Sequence, residues 1–114
     1  MSARTVVVTG ASAGVGRAVA REFGARGANV ALLARGGDGL QAAAEEVEAA
    51  GGRALPIEVD VADYPAVDAA ASQVVDRFGS LDVWVNNAFA GVFAPFWEVS
   101  PEEFRMAKRK VLGD

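Results

Sequence analysis

The sequence contains neither cysteine nor histidine, and these two absences exclude much of the chemistry that proteins use. Without cysteine there can be no disulfide framework, no thiolate nucleophile and no thiolate metal ligand. Without histidine, the commonest general base and the commonest metal ligand are missing. We therefore expect no metal site and no catalytic centre built on a thiol or an imidazole.

Positive charge and long hydrophobic runs are also scarce. The formal net charge is −4, which argues against nucleic acid or an anionic membrane as the main partner. The first apolar run is too short for a secretory signal, and no run reaches the roughly 18 apolar residues of a membrane span. We therefore expect no membrane association and a cytoplasmic location. With 114 residues, 52% of them hydrophobic, the chain has the size of one folded domain, residues 1–114.

The most informative stretch is a β-branched run, Val6 to Val8, that leads into three glycines and then into a helical pattern. Glycines directly after a buried strand allow backbone N–H groups to approach a ligand, and the following helix directs its positive dipole end to the same place. A P-loop is excluded, because Arg17 and Ala18 follow Gly16 where that motif has lysine and serine or threonine. The spacing G-x-x-x-G-x-G indicates a site for a phosphate-bearing ligand of another kind.

Strands and helices alternate along the chain. We predict strands over 5–9, 29–34, 54–59 and 81–85, and helices over 15–26, from about 38 to 50, from about 64 to 78 and from about 100 to 111. Asp38 and Gln41 have capping-box spacing, and Asp63 or Tyr64 is expected to cap the third helix. Such alternation predicts an α/β fold with a parallel sheet covered on both faces.

The predicted architecture is a partial Rossmann-type domain, a doubly wound parallel sheet that is truncated after about four strands and has the strand order 3-2-1-4. Pro56 places the third strand at an edge, where its missing N–H is tolerated. In this topology the ligand crevice lies at the carboxyl ends of the strands, where the winding reverses. The glycine loop falls at that point.

Three motifs together resemble the short-chain dehydrogenase/reductase family. They are the stretch from Thr9 to Gly16, Asp60-Val61 after the third strand, and Asn86-Asn87-Ala88 after the fourth strand. The resemblance extends from about residue 5 to residue 103, which in that family is the cofactor-binding half. It implies an oxidoreductase that binds a nicotinamide dinucleotide and whose full-length relatives form homo-oligomers.

The resemblance also implies a role for each matching residue. Asp60 would accept a hydrogen bond from the adenine amino group, with Val61 as an apolar flank, and Asn87 with Ala88 would flank the adenosine ribose. Thr9 and Asn86 are expected to brace the turn and the sheet rather than to touch the ligand. The residues expected to line the pyrophosphate and the ribose are Gly10, Ser12, Ala13, Gly14, Val15 and Gly16.

Arg35, at the end of the second strand, favours NADP(H) over NAD(H). An acidic residue there would bond the ribose 2′-hydroxyl of NAD, whereas a guanidinium matches the charge of the 2′-phosphate of NADP. Two observations oppose this interpretation: Ala13 stands where NADP-preferring relatives often carry a basic residue, and Asp38 lies three residues further on. A solvated surface arginine is the simpler alternative.

The chain departs from the family in its catalytic residues. Members use a Tyr-x-x-x-Lys pair, in which lysine lowers the pKa of the tyrosine. Here Tyr64 is followed at the fourth position by Asp68, and the lysines are Lys108 and Lys110, so no catalytic residue can be assigned. The chain is therefore expected to bind the cofactor weakly and without turnover, and the substrate cannot be identified. The alternative is a non-catalytic dinucleotide-binding or interaction module.

The last part of the chain is expected to be apolar and uncovered. Phe89 begins a loop rich in aromatic residues, and the fourth strand would be an exposed parallel edge. Such a surface favours a partner or aggregation. The basic cluster at 108–110 is interpreted as the end of a helix rather than as a nucleic-acid patch. The remaining aromatic residues of this loop are Phe93, Phe96 and Trp97.

Overall fold

Four parallel strands and three helices alternate in the computed structural model, which describes residues 3–87 and 96–98. The strands are β1 (Thr5–Thr9), β2 (Asn29–Ala34), β3 (Arg53–Glu58) and β4 (Val83–Val85), and the helices are α1 (Gly14–Ala25), α2 (Gly37–Ala50) and α3 (Tyr64–Phe78). A further strand, β5 (Phe96–Glu98), follows. The predicted helix from about residue 100 lies outside the described residues.

The sheet has the order β3-β2-β1-β4-β5. The pairs β1–β2, β1–β4 and β2–β3 are parallel, so the predicted order 3-2-1-4 is confirmed. Among the described strands, β3 lies at an edge, and Pro56 is opposite Leu32 of its neighbour β2. Because β3 is an edge strand, the N–H group that proline lacks is not needed to pair with a second strand.

The far side of β4 differs from the expectation. Val83 to Val85 pair antiparallel with Glu98 to Phe96, so β4 is not an exposed edge, and residues 96–98 belong to the sheet rather than to a loop. Antiparallel pairing satisfies the same N–H and C=O groups that an open parallel edge would leave unpaired. Among the described strands, β5 forms the edge on this side.

Two apolar layers cover the sheet. One face packs against α1 and α2, with residues such as Val8, Leu32 and Val47 fully buried. The other face packs against α3 through residues such as Leu33 and Val74. Every residue of β1 and β2 is buried, as expected of central strands with helices on both faces.

Of the predicted helix caps at Asp63 and Asp38, the structure has the first and not the second. Asp63 caps α3, its side chain accepting a hydrogen bond from the Ala66 N–H at 3.1 Å. Asp38, in contrast, lies in the first turn of α2, and Gly36 occupies the cap position without a side-chain hydrogen bond. The predicted cap at Asp38 is therefore wrong, because Gly36 already has the extended backbone that precedes a helix.

Gly24 is the last residue but one of α1, and Arg26 is the C-cap. A Cβ at Gly24 would lie 2.9 Å from the carbonyl oxygen of Val47, so this glycine permits close packing of α1 on α2. Within the described residues, no helix is long and apolar enough to cross a membrane.

Candidate functional site

The loop between β1 and α1 has a backbone conformation that favours glycine at two positions. Gly10 has a φ of 62° and Gly14 a φ of 59°, both in the left-handed region. An L side chain is disfavoured there by about 1–2 kcal/mol. These two glycines turn the chain sharply from the end of the central strand into the first turn of α1.

Gly16 is required by close approach rather than by its φ. A Cβ at this position would lie 2.2 Å from the Gly10 carbonyl oxygen and 2.8 Å from Asn87 Nδ2. The residue is buried where α1 crosses its own loop and the end of β4. The three glycines of the motif thus perform two different functions in one compact turn.

The Thr9 hydroxyl joins the ends of β1 and β4. Its Oγ1 accepts a hydrogen bond from the Asn87 N–H at 2.9 Å. It also lies 3.2 Å from Asn86 Oδ1 and 3.4 Å from the Val85 carbonyl oxygen, either of which can accept its hydrogen. The hydroxyl is buried and fully engaged, in agreement with the predicted bracing role of Thr9 and Asn86.

The carboxyl ends of β1, β2 and β3 enclose a crevice of about 560 Å³. Because these ends meet at one edge of the sheet, three sequence segments far apart in the chain share this space. The described residues that line it are Gly10, Ser12, Leu33, Ala34, Arg35, Gly36, Val59, Asp60 and Val61. Five of the residues predicted from the sequence line the crevice.

The other described residues predicted for the site are not among the described residues that line the crevice. Ala13, Gly14 and Val15 are exposed at the start of α1, and the Val15 side chain is 69% exposed. Asn87 is half-buried at the end of β4. Ala88 lies outside the described residues. An exposed valine on the helix end that borders a crevice is an apolar surface available to a ligand.

Asp60 is held in a tight turn at the end of β3. Its Oδ1 accepts a hydrogen bond from the Ala62 N–H at 2.9 Å, and its carbonyl accepts one from the Asp63 N–H at 2.9 Å. The side chain is exposed to the crevice. This turn orients the carboxylate and leaves its second oxygen available as an acceptor.

Arg35 supplies positive charge to the crevice. Its side chain is exposed, and no described residue forms a hydrogen bond or an ion pair with its guanidinium. The next residue, Gly36, precedes the amino end of α2, where backbone N–H groups and the helix dipole favour negative charge. Cation and helix end together make this part of the crevice suited to an anionic group.

One ion pair near the glycine loop was not anticipated from the sequence. Arg17 donates from Nε to Glu46 Oε1 and from a terminal nitrogen to Oε2, each at 2.9 Å, and so joins α1 to α2. This hydrogen-bonded contact raises the pKa of Arg17 and lowers the pKa of Glu46 from their ordinary values. Because 29 residues separate the two in the chain, no local sequence signal indicates the pair.

The described lining of the crevice carries several polar and charged groups. It has backbone N–H groups, the Ser12 hydroxyl, one cation and one carboxylate. Tyr64, the first residue of α3, is 52% exposed and is not among the described residues of the lining. The lysines at 108 and 110 lie outside the described residues. The described lining thus combines a cation, a carboxylate and the amino-end segment of α2 in one crevice.

Comparison with known proteins agrees with the family resemblance of the sequence motifs. A family model described as short chain dehydrogenase matches residues 4–108. The 3beta-hydroxysteroid dehydrogenase 1 of Eggerthella lenta is 41% identical over 106 residues, which are 92% of this chain and 41% of that protein.

Two solved structures are similar to most of the chain. The L-sorbose reductase of Gluconobacter frateurii, in complex with NADPH and L-sorbose, matches with a TM-score of 0.73 and 42% identity over 81% of this chain and 35% of its own. A metagenomic short-chain oxidoreductase in complex with NADP matches with a TM-score of 0.73 and 44% identity over 82% of this chain and 42% of its own. The chain spans less than half the length of each of these relatives.

Proposed function

Because the chain belongs to the short-chain dehydrogenase family, we propose that it is the cofactor-binding part of an NADP(H)-dependent oxidoreductase. Two similar structures hold NADPH or NADP, which supports a nicotinamide dinucleotide as the ligand. When bound, such a cofactor supplies or accepts a hydride. The residues of this chain bind and orient it.

The loop from Gly10 to Gly16 is proposed to hold the pyrophosphate. The left-handed glycines expose backbone N–H groups, and the amino end of α1 adds its dipole. The Ser12 hydroxyl lies in the crevice and can donate to a phosphate oxygen. Ala13 and Val15 would contact the ligand along the exposed first turn of α1.

The adenosine is proposed to lie across the ends of β2, β3 and β4. Asp60 has a free carboxylate oxygen for the adenine amino group, and Val61 gives the ring an apolar flank. Asn87 with Ala88 would border the ribose. The Thr9 hydroxyl, which binds the Asn87 N–H, keeps this border next to the glycine loop.

The observation that carries the cofactor assignment is the position of Arg35 in the same crevice as Ser12 and Asp60. A guanidinium with no partner among the described residues is available to a 2′-phosphate and forms a strong charge-assisted hydrogen bond with it. A ribose 2′-hydroxyl offers no charge for this contact. NADP(H) is therefore the expected cofactor and NAD(H) the weaker ligand.

Calorimetric titration of the protein with NADPH and NADH at equal ionic strength tests this assignment. We expect tighter binding of NADPH, and the Arg35→Gln variant should lose about 10-fold or more of that affinity, since a hydrogen bond to a charged group contributes about 1.5–3 kcal/mol. Arg53→Gln is the matched control, because Arg53 is an exposed arginine at the opposite end of the sheet. Tighter binding of NADH by the unaltered protein would refute the preference for NADP(H).

The 114-residue chain itself is proposed to bind the cofactor weakly and to carry out no redox turnover. Its one tyrosine, Tyr64, has Asp68 rather than lysine at the fourth following position. This pattern also supports the alternative, a dinucleotide-binding or interaction module without catalysis. Oxidation of NADPH by the purified chain in the presence of carbonyl substrates, abolished by Gly16→Ala, would refute both the absence of turnover and the non-catalytic alternative.

A further inference from the structure

Glu58 places a carboxylate at the border of the crevice. It is the last residue of β3 and lies opposite Ala34, the last residue of β2, in the parallel register. Its Oε2 lies only 3.1 Å from the position that a Cβ at Gly37 would occupy. The carboxylate therefore lies against the first residue of α2.

This position adjoins the part of the crevice that carries positive charge. Ala34, the last residue of β2, lines the crevice with Arg35 and Gly36 after it, and Val59, the residue after Glu58, lines it at the end of β3. Glu58 is exposed, and no described residue forms a hydrogen bond or an ion pair with its carboxylate. Its charge is thus not neutralised by a protein partner in the described part of the chain.

We propose that Glu58 determines cofactor selectivity together with Arg35, by opposing the 2′-phosphate of NADP(H) while tolerating the 2′-hydroxyl of NAD(H). The proposal rests on the proposed function, since it concerns the same crevice. Arg35 attracts a 2′-phosphate, and the carboxylate beside Gly37 repels it. The two side chains act in opposite directions on one ligand group, so the preference for NADP(H) is smaller than Arg35 alone would produce.

Charge and distance explain why the effect is selective. A 2′-phosphate carries negative charge and needs a cationic or N–H-rich environment, whereas a hydroxyl is neutral and can donate a hydrogen bond to a carboxylate. The repulsion acts between solvent-exposed charges, so it is modest and decreases as salt is added. Adenine and pyrophosphate contacts are the same for both cofactors and do not distinguish between them.

Calorimetry on the Glu58→Gln variant tests the proposal, with NADPH and NADH and with the fragments 2′,5′-ADP and 5′-AMP as probes. We expect the variant to bind NADPH and 2′,5′-ADP about two- to fivefold more tightly, the range of one exposed charge. Affinity for NADH and 5′-AMP should stay the same or decrease. The gain for NADPH should shrink between low and high salt.

Two further variants make the result specific. Glu45→Gln removes the same charge from an exposed position on α2 and should leave the ratio of NADPH to NADH affinity unchanged. Glu58→Asp keeps the negative charge on a side chain that is shorter by one methylene. Its ratio of NADPH to NADH affinity should lie between those of the unaltered protein and Glu58→Gln. Melting temperatures of all variants show whether each is folded.

The outcomes separate this proposal from the proposed function. If Glu58→Gln changes NADPH and NADH affinity by the same factor, or no more than Glu45→Gln does, Glu58 has no role in selectivity, although the chain still binds a dinucleotide. If the unaltered protein binds none of the four probes, the proposed function and this inference are both refuted.

Discussion

At the scale of single residues, the glycine motif combines two requirements that look alike in the sequence. Gly10 and Gly14 are needed for their left-handed backbone, whereas Gly16 is needed because the Gly10 carbonyl and the Asn87 side chain approach it closely. The first requirement is local and can be inferred from a strand-to-helix turn. The second requirement is partly local, since Gly10 belongs to the same loop, and partly tertiary, since Asn87 approaches only when the end of β4 lies beside β1.

Gly16→Ala should destabilise the protein by about 1–3 kcal/mol, because a Cβ at this position overlaps backbone and forces the loop to move. Cofactor binding should be lost with it, since the moved loop is the proposed pyrophosphate site. Denaturant unfolding and calorimetric titration measure the two effects. Gly36→Ser is the control, as a Cβ at Gly36 has no described heavy atom within 4 Å and serine is a favoured N-cap residue; equal destabilisation by both variants would contradict the steric explanation.

Thr9→Val should cost about 1–3 kcal/mol of stability, although the two side chains have nearly the same shape. The substitution removes the Oγ1 acceptor and leaves the Asn87 N–H without its partner. Thr9→Ser keeps the hydroxyl and should retain most of the stability. Urea unfolding of the two variants gives the comparison, and a stable Thr9→Val protein would mean that water replaces the hydroxyl.

At the scale of elements, α2 and α3 begin in different ways although both carry an aspartate near the start. Asp63 caps α3 through its side chain, whereas Asp38 lies one position inside α2 and makes no capping hydrogen bond. In the sequence, both aspartates have the position of a possible N-cap before a helical pattern. The difference comes from Gly36-Gly37, which lets α2 begin before Asp38.

Asp63→Ala should therefore destabilise the protein by about 0.5–2 kcal/mol, the usual cost of a lost N-cap. Asp63→Ser should restore most of this loss, because serine also accepts the hydrogen bond from the Ala66 N–H. Asp38→Ala should cost less than Asp63→Ala, since only a favourable interaction with the helix dipole is removed. Thermal unfolding of the three variants ranks them, and a larger loss for Asp38→Ala would contradict the observed cap positions.

The Arg17–Glu46 pair predicts a pH dependence at the junction of α1 and α2. The folded-state pKa of Glu46 is lowered from its ordinary value of 4.5, so the pair stabilises the protein above that pH. The contribution is lost as pH falls through the lower folded-state pKa. Melting temperatures measured from pH 7 to pH 3 should thus fall less steeply for Glu46→Gln than for the unaltered protein.

Glu45→Gln is the control for this titration, because the described residues give Glu45 no ion pair. Its melting temperatures should follow those of the unaltered protein through the acid range. A Glu46→Gln profile with the same slope as this control would show that the pair adds nothing to stability. Both side chains of the pair are about one-third exposed, so the effect should also decrease in high salt.

At the scale of the whole molecule, the winding of the sheet creates the site. The parallel order β3-β2-β1-β4 brings three loops to one edge, and the glycine loop lies at the centre of that arrangement. The antiparallel strand β5 then covers the outer edge of β4. The charge is distributed unevenly around the crevice, with Arg35 and two helix ends favouring an anion and the carboxylates of Asp60 and Glu58 opposing it.

Ligand binding should stabilise the whole domain, because the crevice exists only when β1, β2 and β3 are paired. NADPH at about 100 times its dissociation constant should add about 2.7 kcal/mol to the free energy of unfolding. The melting temperature should rise with the logarithm of NADPH concentration, and 2′,5′-ADP should have a similar effect. The Arg35→Gln variant should need a higher concentration for the same rise; an unchanged melting temperature in NADPH would contradict binding to the folded state.

The sequence by itself determined the class of fold, the strand order and the identity of most crevice residues. Strands β1 and β2 are continuous apolar runs with glycine-rich turns after them, and their predicted bounds agree with the structure. These signals are local, and the handedness of β-α-β units converts them into a topology. Arg35 was predicted from its position at the end of a strand and Asp60 from the resemblance of its motif to the family, and both line the crevice.

Only the tertiary structure decided the contacts between segments distant in the chain. The antiparallel partner of β4, the Arg17–Glu46 pair, the approach of Asn87 to Gly16 and the position of Glu58 beside Gly37 all depend on how strands and helices pack. No periodicity or turn signal encodes such contacts, because each partner looks ordinary in its own segment. The physical reason is that packing and electrostatics act through space, whereas sequence patterns report backbone preference over a few neighbouring residues.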